Sequence, residues 1–220
     1  MIIWISSYPK SGNTWVRLFL ESYFLKIKNN FRFGGFPELE DLEKLNLDYT
    51  NLNEIIKNWK TLQEVRNLDG RTNILKTHNA LCTIGKYTFT DKTNTLGAIY
   101  LVRDPRDIVV SYANHLGLSF DEVIKTMLNS HASGIKRFLN YLKDLVKINV
   151  DINQMTKSIE DTSFEKLKKQ EEIHGFDQAT GNGPFFRKGI VGDWKNSLSD
   201  EQTKKIEKSF FNEMRELNYL

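Results

Sequence analysis

The chain opens with Ile2-Ile3-Trp4-Ile5-Ser6-Ser7-Tyr8-Pro9-Lys10-Ser11-Gly12-Asn13-Thr14-Trp15, an apolar run that breaks into a short polar turn with a lysine at its centre. The run reads as a buried strand. Beyond the turn, Trp15, Leu18, Phe19, Ser22 and Tyr23 recur at helical spacing, so the stretch reads strand, tight turn, helix. Such a turn aims several backbone N–H groups at one point, where the positive end of the helix dipole also lies. That point attracts a phosphate or a sulfate. Lys10 adds a full charge and a proton donor, Gly12 lets the backbone approach closely, and the hydroxyls of Ser11 and Thr14 extend the cradle.

Two further runs rich in Ile, Leu and Val, Asn73 to Lys76 and Gly97 to Val102, read as buried strands that end in polar loop residues. After the last of them, Asp104 can cap a helix with Pro105 at its first position and Asp107 three residues past the cap. Ser119 with Glu122, Thr162 with Glu165, and Ser199 with Gln202 have capping-box spacing. Ile206, Phe210, Phe211, Met214 and Leu217 continue the last of these as one apolar stripe. Ile135, Phe138, Leu139, Leu142 and Leu145 are also helically spaced, with Tyr141 among them. Strands separated by helices predict an α/β fold with a parallel sheet flanked by helices. Thr180-Gly181-Asn182-Gly183-Pro184 is the strongest loop signal and reads as a mobile loop inside a single domain over residues 1–220.

A chain of 220 residues can build one sizeable core. Its net charge of +3 comes without a Lys/Arg block, which fits small anionic ligands better than nucleic acid. Cys82 is the single cysteine, so no internal disulfide can form and an oxidising compartment gains no support. Ile2 to Ile5 is shorter than the roughly 7–15 apolar residues of a secretory signal. No later run approaches the ~20 apolar residues of a membrane span. The expectation is a cytoplasmic protein whose fold starts at residue 2.

The order Lys10-Ser11-Gly12 is not the Gly-Lys-[Ser/Thr] of the nucleotide-hydrolase P-loop. Tyr8-Pro9-Lys10-Ser11-Gly12-Asn13-Thr14-Trp15 instead resembles the phosphosulfate-binding loop of sulfotransferases that use 3′-phosphoadenosine 5′-phosphosulfate (PAPS). Four later segments follow that family's order. Lys76-Thr77-His78 is similar to the segment whose histidine is the general base. Arg103-Asp104-Pro105-Arg106-Asp107, with Ser111 two helical turns beyond Arg103, is similar to the element that grips the 3′-phosphate. Thr162-Ser163-Phe164 resembles the segment packing on adenine. Arg187-Lys188-Gly189, before Gly192-Asp193-Trp194-Lys195, resembles the C-terminal 3′-phosphate loop.

The resemblance implies a P-loop-like sulfotransferase fold and a sulfuryl transfer from PAPS to a hydroxyl or amine of a small-molecule, lipid or glycan acceptor. It implies His78 as base, with Lys10 and Lys76 stabilising charge on the reacting groups. Lys10, Ser11, Gly12, Asn13, Thr14, Trp15, Arg103, Ser111, Thr162, Ser163, Phe164, Arg187, Lys188 and Gly189 would bind the donor, Trp15 and Phe164 by stacking on adenine. No metal is expected, because lysines take the place magnesium has elsewhere. The chain departs from the family in three places. Asn13 stands where threonine is common, and its amide can donate to a phosphate oxygen. The interval between His115 and Thr162 is short and lacks a strand ending in a Tyr-Glu-Asp-like segment, so the middle region is shortened and the sheet smaller by one strand. Ser199-Asp200 and Lys204 replace the Thr-Val and Glu of a dimer motif, and no oligomeric state follows.

Taken singly, each piece has a plainer reading. His78 could be structural, as His115, His131 and His174 are read, although it lies just past a strand's C-terminal end, where open α/β sheets place ligands. Arg103 could be a helix-flanking surface charge, Arg187-Lys188-Gly189 a solvated basic run, and Trp15 and Phe164 core aromatics. Phe31, Phe33 and Phe36 could line an acceptor pocket or fold into the core. A P-loop-type kinase and a nucleotide-binding protein without turnover stay open as alternatives.

Overall fold

The computed structural model describes residues 1–24, 31–79, 81–129, 152–176, 178–180 and 182–220, apart from the side chains of Phe31 and Ile152. The helical spacing of Ile135, Phe138, Leu139, Tyr141, Leu142 and Leu145 lies outside the described residues. The chain divides into two compact units. The first holds Met1–Tyr8, Asn13–Leu101 and most of the helix Ile152–Asp161. The second holds Pro9–Gly12, the segment from Val102 through Leu128, and Glu160–Leu220.

The first unit is built on a four-stranded parallel sheet of β1 (Ile2–Ser7), β2 (Phe31–Gly34), β3 (Thr72–Thr77) and β6 (Thr95–Leu101), in the order β2-β3-β1-β6. β1 is central, with Ile5 opposite Lys76 on one side and Ile99 on the other. Its Ile2, Trp4 and Ile5 are wholly buried, which is why the run reads apolar rather than alternating. The three strands expected from sequence are all present. β2 was not anticipated: it is four residues long and carries Arg32 and Gly34. A short hairpin pairs β4 (Thr83–Ile84) with β5 (Tyr87–Thr88).

α1 (Asn13–Phe24) follows β1, and Tyr23 and Phe24 pack with Ile5 and Ile74 on one side of the sheet. α2 (Leu39–Lys44), α3 (Leu52–Lys57) and α4 (Trp59–Asn67) supply Leu42, Ile56, Trp59 and Leu62 to a second cluster around Trp4, Leu75 and Phe89. Phe36 is buried in that cluster and Phe33 packs on the first, so both are core residues.

In the second unit, α5 (Pro105–Leu116) is capped by the Asp104 side chain and α6 (Phe120–Leu128) by the Ser119–Glu122 box, as expected. Two boundaries differ. α7 (Ile152–Asp161) ends before Thr162, and α8 (Phe164–His174) is preceded by Ser163 as N-cap without a side-chain capping bond, so Thr162 and Glu165 form no box. The Ser199–Gln202 box does start α9 (Asp200–Ser209), but Phe210 leaves helical geometry and a separate α10 (Phe211–Glu216) follows. Ile206 and Met214 are fully buried whereas Phe211 is half exposed, so the stripe is two short faces and not one. Among the described residues no helix is long and apolar enough to cross a membrane.

One buried ion pair staples α2 to α4. Arg66 Nη2 donates to Asp41 Oδ2 at 2.5 Å and to Glu38 Oε2 at 2.7 Å, with the Arg66 and Asp41 side chains almost sealed from solvent. Burial works against the guanidinium charge, but the two carboxylates outweigh it and hold Arg66 above its ordinary value. Arg66→Met strands the Asp41 carboxylate without its partner, and the expected loss of unfolding free energy in urea titrations is about 3–5 kcal/mol. The double variant Arg66→Met with Asp41→Leu is expected to recover most of it, because neither charge then remains buried.

Candidate active site

In the first unit, β1 and β3 end side by side, with Ser6 opposite Thr77, and Ser7 and His78 follow at that end of the sheet. His78 Nδ1 lies 2.9 Å from the Ser7 carbonyl oxygen and 3.5 Å from its hydroxyl. A carbonyl can only accept, so Nδ1 carries a proton, and in the neutral form of the ring Nε2 is then the basic nitrogen. The ring that follows β3 is thereby fixed in tautomer and orientation by the strand beside it. At the start of α1, the Asn13 amide donates to the Ile5 carbonyl at 2.8 Å and to the Ser7 hydroxyl at 3.1 Å. Both amide hydrogens are therefore engaged within the protein. The expectation that this amide donates to a phosphate gives way: Asn13 can offer a ligand its backbone N–H, while its side chain ties the start of α1 to β1. Thr14 is buried, Lys76 partly buried, and Trp15 is 53 % exposed on the first turn of α1, which excludes the core reading of that aromatic.

The second unit contains the middle of the turn. Lys10 and Gly12 both adopt left-handed backbone conformations, with φ of 67° and 97°. Alternating handedness around Ser11 turns successive N–H groups toward one side, the arrangement of an anion-binding nest. Nothing lies within 4 Å of where a Cβ on Gly12 would stand, and α1 has no acidic residue in its first turn. The Ser11 hydroxyl is buried and has no hydrogen-bond partner. Arg103 Nη1 donates to the Lys10 carbonyl at 3.0 Å, so this arginine braces the turn from beneath a residue that left-handed geometry would otherwise disfavour. The Lys10 ammonium sits 4.2 Å from the centre of the Phe185 ring.

The Arg187-Lys188-Gly189 loop belongs to the same unit. Gly189 has φ of 67°, and a Cβ there would come within 2.5 Å of the Phe164 ring, so only glycine lets this backbone lie on that aromatic. Phe164 also meets Phe186 edge to face. Arg187 and Lys188 each hold one oxygen of Asp193, at 2.7 and 2.8 Å. The lysine first and the arginine second draw the Asp193 carboxyl below its usual range.

The first turn of α5 anchors this loop. Asp107 accepts from the backbone N–H of Gly192 at 2.8 Å and of Trp194 at 3.3 Å. Arg106 forms a forked pair with Asp104, donates to Glu207 at 2.6 Å and to the Tyr219 carbonyl at 2.9 Å, and stacks 4.0 Å over Trp194. The charge cluster 103–107 is thus no solvated surface patch. Ser111 lies further along α5, half buried. Sequence reasoning did not mention Phe185, and it quoted Asp107 and Asp193 only as members of their motifs, Asp107 also as the residue three past the α5 cap, without the loop-anchoring bonds they make. The Gly-Asp-Trp-Lys run contained the signal for Asp193: an acid five and six residues from a basic pair, after a glycine that can turn the chain back.

Comparison with known proteins settles the class. A sulfotransferase domain model matches residues 2–145 and 122–218. The chain is 28 % identical to human Sulfotransferase 6B1 over 231 residues, covering 94 % of this chain and 74 % of the relative. It is 22 % identical to mouse Sulfotransferase 1E1 over 260 residues, covering 96 % and 83 %. Among solved structures, the fold matches mouse sulfotransferase SULT7A1 complexed with PAP at a TM-score of 0.63, with 21 % identity over 99 % of this chain and 85 % of that one. It matches retinol dehydratase in complex with androsterone and the inactive cofactor PAP at 0.59, with 17 % identity over 97 % and 80 %. A parallel sheet, a lysine turn on its central strand and a family match along most of the sequence agree, and the chain belongs to the sulfotransferase family as a sulfuryl-transferring enzyme with a P-loop-like fold.

Proposed function

We propose that this enzyme, acting as one domain in the cytoplasm, takes its sulfuryl group from PAPS and passes it to a hydroxyl or amine of a small-molecule, lipid or glycan acceptor. The observation that carries the donor assignment is the turn at residues 10–12: two left-handed residues around a buried, unpartnered Ser11 hydroxyl. A buried hydroxyl without a partner is costly unless a ligand supplies one. A phosphosulfate, rich in acceptor oxygens, fits that need. PAPS supplies an activated sulfuryl group whose leaving group is a phosphate.

The chain's own residues divide the remaining work. His78 accepts the acceptor's proton at Nε2 while the new bond to sulfur forms, and its Nδ1–H to the Ser7 carbonyl keeps the ring in the required tautomer. Lys10 neutralises charge gathering on the bridging oxygen as the sulfur–oxygen bond breaks, and Lys76 steadies the nonbridging oxygens. Lys10 leaves the face of Phe185 to do so, and a full negative charge outweighs the ~0.5–2 kcal/mol of a cation–π contact. Arg103, Ser111, Arg187, Lys188 and the Gly189 amide receive the 3′-phosphate. Trp15, Phe164, Thr162 and Ser163 hold the adenosine, the exposed indole of Trp15 supporting a stacking role. Retinol and androsterone, which a similarly folded protein binds, are reasonable first acceptors to screen.

The donor assignment is tested by labelled-sulfate transfer from PAPS, and its failure with every acceptor class would overturn it. His78→Ala is expected to lower the transfer rate by about 10²–10⁴-fold. Calorimetry should find its affinity for 3′-phosphoadenosine 5′-phosphate within a factor of about two of the parent. Lys10→Ala is expected to damage both quantities, with kcat falling further than donor affinity, because its ammonium meets more charge in the transition state than in the ground state. Equal losses would reduce Lys10 to an anion anchor.

A further inference from the structure

We propose that Asp193 is a positioning residue for donor recognition, holding Arg187 and Lys188 in the arrangement that receives the 3′-phosphate. This rests on the reading that the Arg187-Lys188-Gly189 loop binds that group. Asp193 splits its carboxylate between the two cations, Oδ2 to Arg187 Nη2 at 2.7 Å and Oδ1 to Lys188 Nζ at 2.8 Å. Its own side chain is 7 % exposed, whereas those of Arg187 and Lys188 are 28 % and 45 % exposed. An anion arriving from solution therefore meets the cations and not the carboxylate.

Asp193 is itself held firmly. The residues on either side of it, Gly192 and Trp194, give their N–H groups to the two oxygens of Asp107, and the Ser197 hydroxyl donates to the Asp193 carbonyl at 3.0 Å. Asp107 stands in the first turn of α5, the helix that carries Ser111 and begins just after Arg103. A continuous path of hydrogen bonds thus runs from the α5 segment, through Asp107 and the Gly192-Asp193-Trp194 turn, to the Arg187-Lys188 pair. It sets two groups of anion-binding residues, far apart in sequence, in fixed register.

A guanidinium has five N–H donors and an ammonium three, so each cation can hold Asp193 and still offer hydrogen bonds to a phosphate. Two long side chains already ordered by a buried carboxylate lose less freedom when the ligand arrives. Asp193 therefore favours the 3′-phosphate by orienting its receivers, even though its charge opposes that of the ligand.

The experiment is calorimetry on the full chain with 3′-phosphoadenosine 5′-phosphate and with adenosine 5′-phosphate, read as the ratio of the two affinities. The unmutated protein is expected to favour the 3′-phosphorylated nucleotide about a hundredfold, as two charge-assisted contacts would give. No preference there would sink the assignment of the loop itself. With the preference present, Asp193→Asn is expected to lower the ratio about tenfold, a change of ~1.4 kcal/mol, while adenosine 5′-phosphate binding stays within about twofold. A ratio unchanged or increased in this variant overturns the positioning role, and so does equal weakening of both nucleotides, which a merely structural residue would produce. Should Asp193→Asn not fold, Asp193→Glu keeps the charge and displaces it by one methylene; a fall of about threefold in the ratio is expected, and an unchanged ratio overturns the proposal.

Discussion

A buried guanidinium must have all its charge answered, and in the second unit that requirement falls on Arg106. Its partners are Asp104 at its own helix cap, Glu207 on α9, the Tyr219 carbonyl past α10 and the indole of Trp194. Burial alone would weaken its charge; Asp104 and then Glu207 more than restore it. Removing any one partner would leave a desolvated charge short of an interaction, which is far more costly than losing an exposed pair. The first turn of α5 therefore organises its unit from both ends. Arg106 gathers the C-terminal helices, and Asp107 beside it fixes the turn that presents the Arg187-Lys188 pair.

The first unit solves a different problem. A strand buried on both faces must end where its polar continuation can find partners, and β1 ends at Ser7, whose carbonyl takes the His78 N–H and whose hydroxyl takes the Asn13 amide. The same residue thus closes the sheet edge, anchors the start of α1 and selects which imidazole nitrogen is basic. The base role proposed for His78 would depend on this backbone carbonyl as much as on the imidazole, since the opposite tautomer would present an N–H where a lone pair is needed.

Much of this was legible in the residues, for identifiable reasons. β1, β3 and β6 announced themselves because strands covered on both faces are continuously apolar. The caps at Asp104, Ser119 and Ser199 were legible because a capping side chain acts within three residues of itself. β2 was hidden by its length of four residues and by Arg32, whose charge is answered by Glu40 and Glu38. The stripe from Ile206 to Leu217 looked continuous because apolar spacing does not register a change of backbone angle at Phe210. Lys10, Gly12, Arg103 and Gly189 could be singled out by pattern, yet the engagement of the Asn13 amide could not. Which way an amide turns depends on carbonyls that only the folded chain brings near. The partnership of Asp193 with Arg187 and Lys188 had only its spacing as a signal, because a short acidic and basic run reads as solvated until its carboxylate is known to be buried.

The bonds that complete the second unit span long stretches of sequence: 85 residues from Asp107 to Gly192, 101 from Arg106 to Glu207 and 113 from Arg106 to Tyr219. A ribosome delivers Arg106 and Asp107 well before any of those partners exists. Until then the nascent α5 must keep its arginine and second aspartate hydrated, and the apolar face of Ile108, Val109 and Val110 has no finished core to enter. The order of synthesis thus leaves the second unit unable to close these bonds until nearly the whole chain has emerged.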